Sequence, residues 1–195
     1  PSIKDEEYRF TWFGVDPAIS QRSTADFSAI VGAQVHGYGE DMKIYILPNP
    51  TNKRLNFPEL VEQIKLLLNT HKGRNAKVLV ENVAYQASVF QQLQREGYLV
   101  EGVKILGDKR ERVASITHLM DSAKILFPRQ GAELIIQQLL GFGVEKFDDL
   151  VDAFTLLMHK IVESNYSRPD ITWITINPNP GGWRSLSSLD DLRRW

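Results

Sequence analysis

Phe10-Thr11-Trp12-Phe13-Gly14-Val15-Asp16-Pro17-Ala18 reads as an apolar strand that stops at a carboxylate. Phe10, Trp12, Phe13 and Val15 carry the burial, and aromatic and β-branched density of this kind belongs in a sheet interior. Pro17 has no amide hydrogen, so the ladder is expected to end there and leave Asp16 at the exposed tip. An acid so placed is held rigidly and still reaches solvent. The ordinary alternative is an Asp that caps a turn before proline.

Working outward, the same construction recurs at Lys77-Val78-Leu79-Val80-Glu81, an apolar strand ending in an acid. Between the two, residues 26–35 alternate as a second strand, 37–41 have turn composition, and 42–47 form a third strand. Short polar links favour an antiparallel meander, followed by a loop at 48–55. Asn56 with Glu59 three residues later is a capping box, and Leu60, Ile64, Leu67 and Leu68 form a helical stripe behind it. After Glu81 the pattern gives a helix over 85–96 stopped by Gly97, and a fifth strand at 99–105. A helix over 108–123 follows, then a short extended piece at 125–128, a helix over 133–140 and a last long helix over 147–164. Leu150, Val151, Phe154, Leu157, Met158 and Ile161 share one face of that last helix. Strands joined through helices are expected to be parallel with right-handed crossovers. The result is an α/β fold: a mixed five-stranded sheet, three antiparallel strands then two parallel ones, with helices on both faces. This is the layout of RNase H-like folds, in which the first strand lies beside the fourth. Residues 1–164 form the expected domain. Residues 165–195, rich in Asn, Pro, Gly and Ser, are expected to be a flexible or docking tail.

The bulk numbers bound the rest. At 195 residues the chain can bury one sizeable core, and a 43% hydrophobic, 24% charged composition is that of an ordinary globular protein. No cysteine is present, which excludes disulfides and thiolate metal sites. No apolar run approaches the roughly 18 residues of a membrane span, so no membrane partner is expected. The first residues, Pro1 to Glu7, show neither an initiator Met nor a signal sequence, as in an excised fragment. A net charge of -1 means that any nucleic-acid contact rests on a local basic patch.

In the expected sheet, Asp16 and Glu81 end neighbouring strands about 4.8 Å apart. The run Asp148-Asp149-Leu150-Val151-Asp152 opens the last helix, and its i,i+3 spacing sets Asp149 and Asp152 on one helical face. That face is opposite the apolar stripe, where solvated acids also belong, and the dipole favours acids in a first turn. Brought together, three or four carboxylates raise one another's pKa and call for a cation. An all-oxygen set selects Mg²⁺ or Mn²⁺, and two such ions suit phosphodiester hydrolysis. His36, His71, His118 and His159 are scattered and read as surface or packing residues. Lys104, Lys109, Arg110 and Arg112 cluster near the start of the 108–123 helix and could hold backbone phosphates, with the connector His71, Lys72, Arg74 and Lys77 a second such group. Both groups are also readable as ordinary solvated surface, the second more readily than the first.

These residues resemble a known family, the C-terminal nuclease domain of tailed-phage large terminase subunits. The likeness lies in Gly14-Val15-Asp16-Pro17-Ala18 with Ser23-Thr24-Ala25-Asp26-Phe27-Ser28-Ala29, in Val80-Glu81-Asn82, and in Lys109-Arg110-Glu111-Arg112. It continues in Ile125-Leu126-Phe127-Pro128 and Asp148-Asp149-Leu150-Val151-Asp152-Ala153, and so spans about residues 9–164. The resemblance implies a metal-dependent endonuclease cutting concatemeric phage DNA during packaging. Asp16, Glu81 and Asp149 would be the metal-binding acids and Asp152 a fourth, by analogy with junction resolvases. Many members carry a histidine before the final acid pair; here it is Phe147. Implied partners are double-stranded DNA, an N-terminal ATPase motor domain, the portal and the small terminase subunit, in the host cytoplasm. The chain holds no Gly-x-x-x-x-Gly-Lys-Ser/Thr loop, so it is expected not to hydrolyse ATP by itself. A resolvase or transposase-like nuclease of the same fold, or a docking module that binds DNA or portal without cutting, are the alternatives.

Overall fold

The computed structural model describes residues 8–17, 27–81, 87–104, 107–143 and 148–166. In chain order the elements are β1 (Tyr8–Asp16), β2 (Ser28–His36), β3 (Lys43–Ile46), β4 (Thr51–Lys53) and α1 (Phe57–Thr70). They continue with β5 (Ala76–Glu81), α2 (Ala87–Arg95), β6 (Val100–Val103), α3 (Lys109–Asp121), β7 (Ile125–Leu126), α4 (Glu133–Leu140) and α5 (Asp149–Tyr166). The sheet runs β6-β5-β1-β2-β3-β7, with β4 also paired to β2. β1-β2-β3 are antiparallel, and β5, β6 and β7 join in parallel, as expected of an RNase H-like sheet.

Seven strands stand where the sequence pattern predicts five. β4 falls inside the stretch read as a loop, and β7 inside the short extended piece. Both have a physical cause. β2 is nine residues long, and β3 covers only its far half, from Ala33 to His36. Pro48 and Pro50 break the partner strand, with Asn49 at φ 58 between them. The chain then resumes as β4 against Ser28–Ile30. β7, two residues paired with Ile44 and Tyr45, is too short to show any period.

Alternation along β1 splits the core in two. Phe10 and Trp12, with Ala29, Val31 and Leu79, pack beneath α5, α3 and α4; Phe13 and Val15, with Ile30, Val78 and Val80, pack against α1 and α2. The capping box at α1 forms as read: Asn56 accepts from the Glu59 N–H, and Glu59 accepts from the Asn56 N–H. α3 opens on a second box, Asp108 with Glu111.

α5 departs from the one-sided stripe. Leu150, Val151, Ala153, Phe154, Thr155, Leu156, Leu157, Met158 and Ile161 are all buried, so this helix is a core element rather than a surface one. It also runs past the expected boundary at 164, to Tyr166. Asn165 Oδ1 accepts from Arg9 Nη1 at 3.1 Å, which ties that end of the helix to the domain. The remainder of the expected tail lies outside the described residues, as do Ser23–Asp26, Asn82 and Phe147. No described helix is long and apolar enough to cross a membrane.

Candidate active site

Val15 pairs with Val80 in the parallel β1–β5 ladder, so Asp16 and Glu81 are the next residues on adjacent strands. Trp12 and Leu79 lie in the core under α5, while Val15 and Val80 face the other way. By alternation, Asp16 and Glu81 both project toward α5.

Gly14 decides how close α5 comes. A Cβ there would collide with the Ala153 carbonyl oxygen and stand 2.9 Å from Leu157 Cβ. A glycine inside an apolar strand often marks such an approach of backbone to backbone. With Gly14 two residues before Asp16, the first turn of α5 is held over the strand tip. That turn is itself fixed at its first amides: Leu150 N–H donates to Gln138 Oε1 of α4 at 3.0 Å, in a buried bond. The amides of Val151 and Asp152 donate to the Asp148 carbonyl at 2.9 and 3.1 Å.

The four acids singled out from the sequence are thereby brought into one electrostatic neighbourhood. Burial, then the charges of Asp152, Asp149 and Glu81, push Asp16 up to about 8, with Lys109 opposing. Burial also raises Asp149, reinforced by Asp148 and Asp152. Asp149 Oδ2 is buried and has no hydrogen-bond partner among the described residues. Asp152 is raised as well, because burial outweighs the pull of Lys109 and Arg112 beside it.

Lys109 and Arg112, read from the sequence as a phosphate grip, touch the acids themselves. Lys109 Nζ lies 2.6 Å from Asp148 Oδ2 and 2.5 Å from Asp152 Oδ2; Arg112 Nη2 lies 3.3 Å from Asp152 Oδ1. Burial works against the Lys109 ammonium, yet its bonds to Asp148 and Asp152 win and raise it. Lys104 and Arg110 are exposed. Among the described residues no three acids or histidines form a finished cage for one metal ion. The donor chemistry nonetheless suits a hard cation: every acid offers oxygen, Asp149 has an orphaned oxygen, and five carboxylates face two cations.

A second charged group on α5 is closed by contrast. Glu101 of β6 meets Lys160 at 2.7 Å and Lys77 at 3.0 Å, and Lys160 also meets Glu163 at 3.0 Å. Burial opposes ionisation of Glu101, but Lys160 and Lys77 overcome it and lower its pKa. Lys77 is therefore a sheet residue, its ammonium 4.7 Å from the Trp12 ring, and not part of a phosphate grip with Lys72 and Arg74. The histidines are apart from the acids: His36 is buried edge-on between Tyr8 and Tyr45, and His159 bonds Ser115 Oγ at 3.1 Å.

Three contributors escape a reading of the sequence. Gly14 carried a signal as the one glycine in its strand. Asp148 had one in the acid run, but its partner Lys109 lies far away in chain order. Gln138 had none, since one Gln on an amphipathic helix looks like any other.

A mixed sheet with a long helix laid over its central strand, and carboxylates where strand tips meet helix start, defines an RNase H-like α/β domain. The family model described as "Terminase RNaseH-like domain" matches residues 13–160, and the chain belongs to that family. Solved structures agree in fold. The human cytomegalovirus terminase nuclease domain aligns with TM-score 0.60 at 13% identity, over 85% of this chain and 89% of that one. The large terminase nuclease of thermophilic phage G20c with bound zinc gives 0.55 at 16%, over 79% and 84%. The bacteriophage SPP1 large terminase nuclease domain with bound Mn gives 0.52 at 14%, over 82% and 92%. No curated protein matches the chain in sequence.

Proposed function

We propose that this domain is a divalent-metal-dependent endonuclease that cuts concatemeric phage DNA during genome packaging. The observation that carries the reading is the convergence of Asp16, Glu81, Asp149 and Asp152 at one edge of the sheet, crowded enough to push Asp16 up to about 8. Carboxylates in that condition are stabilised by a bound cation. Asp16 and Glu81 would hold Mg²⁺ or Mn²⁺ from the strand side, and Asp149 with Asp152 from the helix side. Two such ions, when bound, supply an activated water and stabilise the leaving oxygen. The chain's own part is to fix the acids: the sheet holds two, Gln138 and the Asp148 carbonyl hold the helix turn bearing the others, and Gly14 sets the gap between them. Lys109 and Arg112 hold Asp152 in place and supply positive charge next to the reacting phosphate. Metal bound in the solved G20c and SPP1 nuclease domains supports the same chemistry.

In this reading the substrate is double-stranded DNA, and the domain works as the nuclease half of a large terminase. An ATPase motor domain, the portal and the small subunit are its partners, at the procapsid in the host cytoplasm. The deciding experiment is plasmid nicking with Mn²⁺, wild type against Asp16→Ala. Nicking lost in the variant is the expected result. Nicking that persists removes Asp16 from the site. Nicking by neither protein favours a docking role, or a dependence on the motor domain.

A further inference from the structure

The tip edge of the sheet continues past the acids on the side away from Lys104. Asp16 is paired with Ala29, and Ala29 with Asn52 of β4, so the three stand in one row. β4 runs in the same direction as β1, because each is antiparallel to β2. Its last residue, Lys53, pairs with Ser28, and Arg54 follows it beyond the ladder, at the same end of the sheet as Asp16. At about 4.8 Å per strand and 3.3 Å per residue, Arg54 is about 10 Å to the side of Asp16 and about 7 Å further along the strand direction.

Arg54 is exposed and has no ion pair with a described residue. It is not loose, however. Its guanidinium carbon lies 5.1 Å from the centroid of the Phe27 ring, and Phe27 stands just before Ser28 on the neighbouring strand. A guanidinium seated on a ring is oriented, while its N–H groups stay free to donate in the plane of the fork. That is the geometry that suits a phosphate, which Arg can bind through two parallel bonds. The other cations near the site differ. Lys109 and Arg112 are ion-paired with Asp148 and Asp152, whereas Lys53 and Arg54 on one flank, Lys104 on the other and Arg110 on α3 are exposed and without ion pairs among the described residues.

We propose that Arg54, seated on Phe27, is a phosphate-binding residue. The nucleic-acid backbone then crosses the sheet edge from Arg54, past the carboxylates, to Lys104. The lateral offset of about 10 Å equals about three base-pair rises of 3.4 Å along a duplex axis. The contact is to phosphate and carries no base preference. This rests on the nuclease reading above, and deepens it by giving the substrate strand a path and a second anchor.

The test is duplex binding by fluorescence anisotropy in EDTA, which needs no cutting, repeated over a series of salt concentrations with the full 195-residue chain. Arg54→Ala is expected to weaken binding about three- to tenfold at low salt and to reduce the slope of log affinity against log salt by about one, the loss of one phosphate contact. Phe27→Leu, which keeps the charge and removes its seat, is expected to weaken binding while keeping most of the slope. Lys72→Ala, at the opposite end of the sheet, is the control. Unchanged affinity and slope in Arg54→Ala, with wild type binding and nicking normally, overturns the Arg54 assignment and leaves the nuclease reading standing. An equal loss in Lys72→Ala also overturns it, since the attraction would then be general. Wild type that neither binds nor nicks overturns the nuclease reading, and the Arg54 contact with it. Thermal melts of each variant separate lost contact from lost fold.

Discussion

α5 carries two charged groups, and they are built to opposite rules. Toward its C-terminal half, Lys160 joins Glu101 and Glu163, and Lys77 completes the set, so each acid has a cation and Glu101 ionises more readily than usual. At its first turn, Asp148, Asp149 and Asp152 meet Asp16 and Glu81 and, among the described residues, only Lys109 and Arg112 answer them. There Asp16, Asp149 and Asp152 resist ionisation. The same helix therefore holds one group that is complete and one that is left short of positive charge. Shortage of this kind costs stability, and a fold keeps it where something else is to be bound. Charge balance, more than the presence of acids, separates a structural network from a site.

The contrast breaks most sharply at Asp16. Asp16→Ala is expected to lower Mn²⁺-dependent nicking by more than about 100-fold, above the usual cost of losing an outer-shell partner of a metal, while Glu101→Gln leaves nicking unchanged. Equal losses in the two variants, measured as initial rates on supercoiled plasmid, would mean that the two groups are alike.

Gly14→Ala tests whether the helix approach makes the site. The added methyl meets the Ala153 carbonyl, so α5 must shift. A cost of about 1–3 kcal/mol is expected, seen as a fall in Tm of about 2–4 °C for each kcal/mol in a chain of this size. Nicking should fall by about 100-fold, since a displacement of about 1 Å is enough for that. A variant that melts early yet cuts normally would show that the gap over Gly14 serves packing alone.

pH sharpens the comparison because the two groups carry opposite signs. Asp16 is raised from 3.8 to about 8, so the folded chain keeps a proton that the unfolded chain has lost. Stability then falls as pH rises from about 4 toward 8. Without added metal, Tm is expected to be lower at pH 8.5 than at pH 5. Asp16→Asn should flatten that decline, and Mn²⁺ at about 100 times its Kd should recover about 2.7 kcal/mol at the alkaline end. A wild-type and Asp16→Asn pair with the same pH profile would refute the crowding.

Glu101 runs the other way, and its effect is the smallest. Its pKa is lowered from 4.5, so its contribution is present above that value and disappears as pH falls through the folded one. With both partners partly exposed, the pairing is worth at most about 1 kcal/mol. Glu101→Gln should therefore lower Tm by no more than about 2–4 °C at pH 7, with the difference vanishing in acid. A larger drop would promote this network from trim to keystone.

Much of this domain is legible in the chain order. Phe10–Asp16 and Lys77–Glu81 announce buried strands with acid tips, and Asn56 with Glu59 announces a helix start, because side chains alternate along a strand and capping works over three residues. Thr51–Lys53 and Ile125–Leu126 do not, since two or three residues carry no period and pair only because β2 and β3 offer free edges. The stripe on 147–164 is real but incomplete: Ala153, Thr155 and Leu156 look neutral in the pattern, and they are buried because the helix crosses β1 and β2 rather than resting on a surface.

The sequence by itself determined which residues could carry the chemistry and, through local periods of two and 3.6, the elements that present them. Only the tertiary structure decided that Lys109 and Arg112 pair with Asp152, and that Arg54 rests on Phe27 at the far flank. It also decided that Gly14 admits α5 to the strand tip. Charge pairing and close approach depend on distances between residues far apart in the chain, and those exist only once register and packing have closed the core.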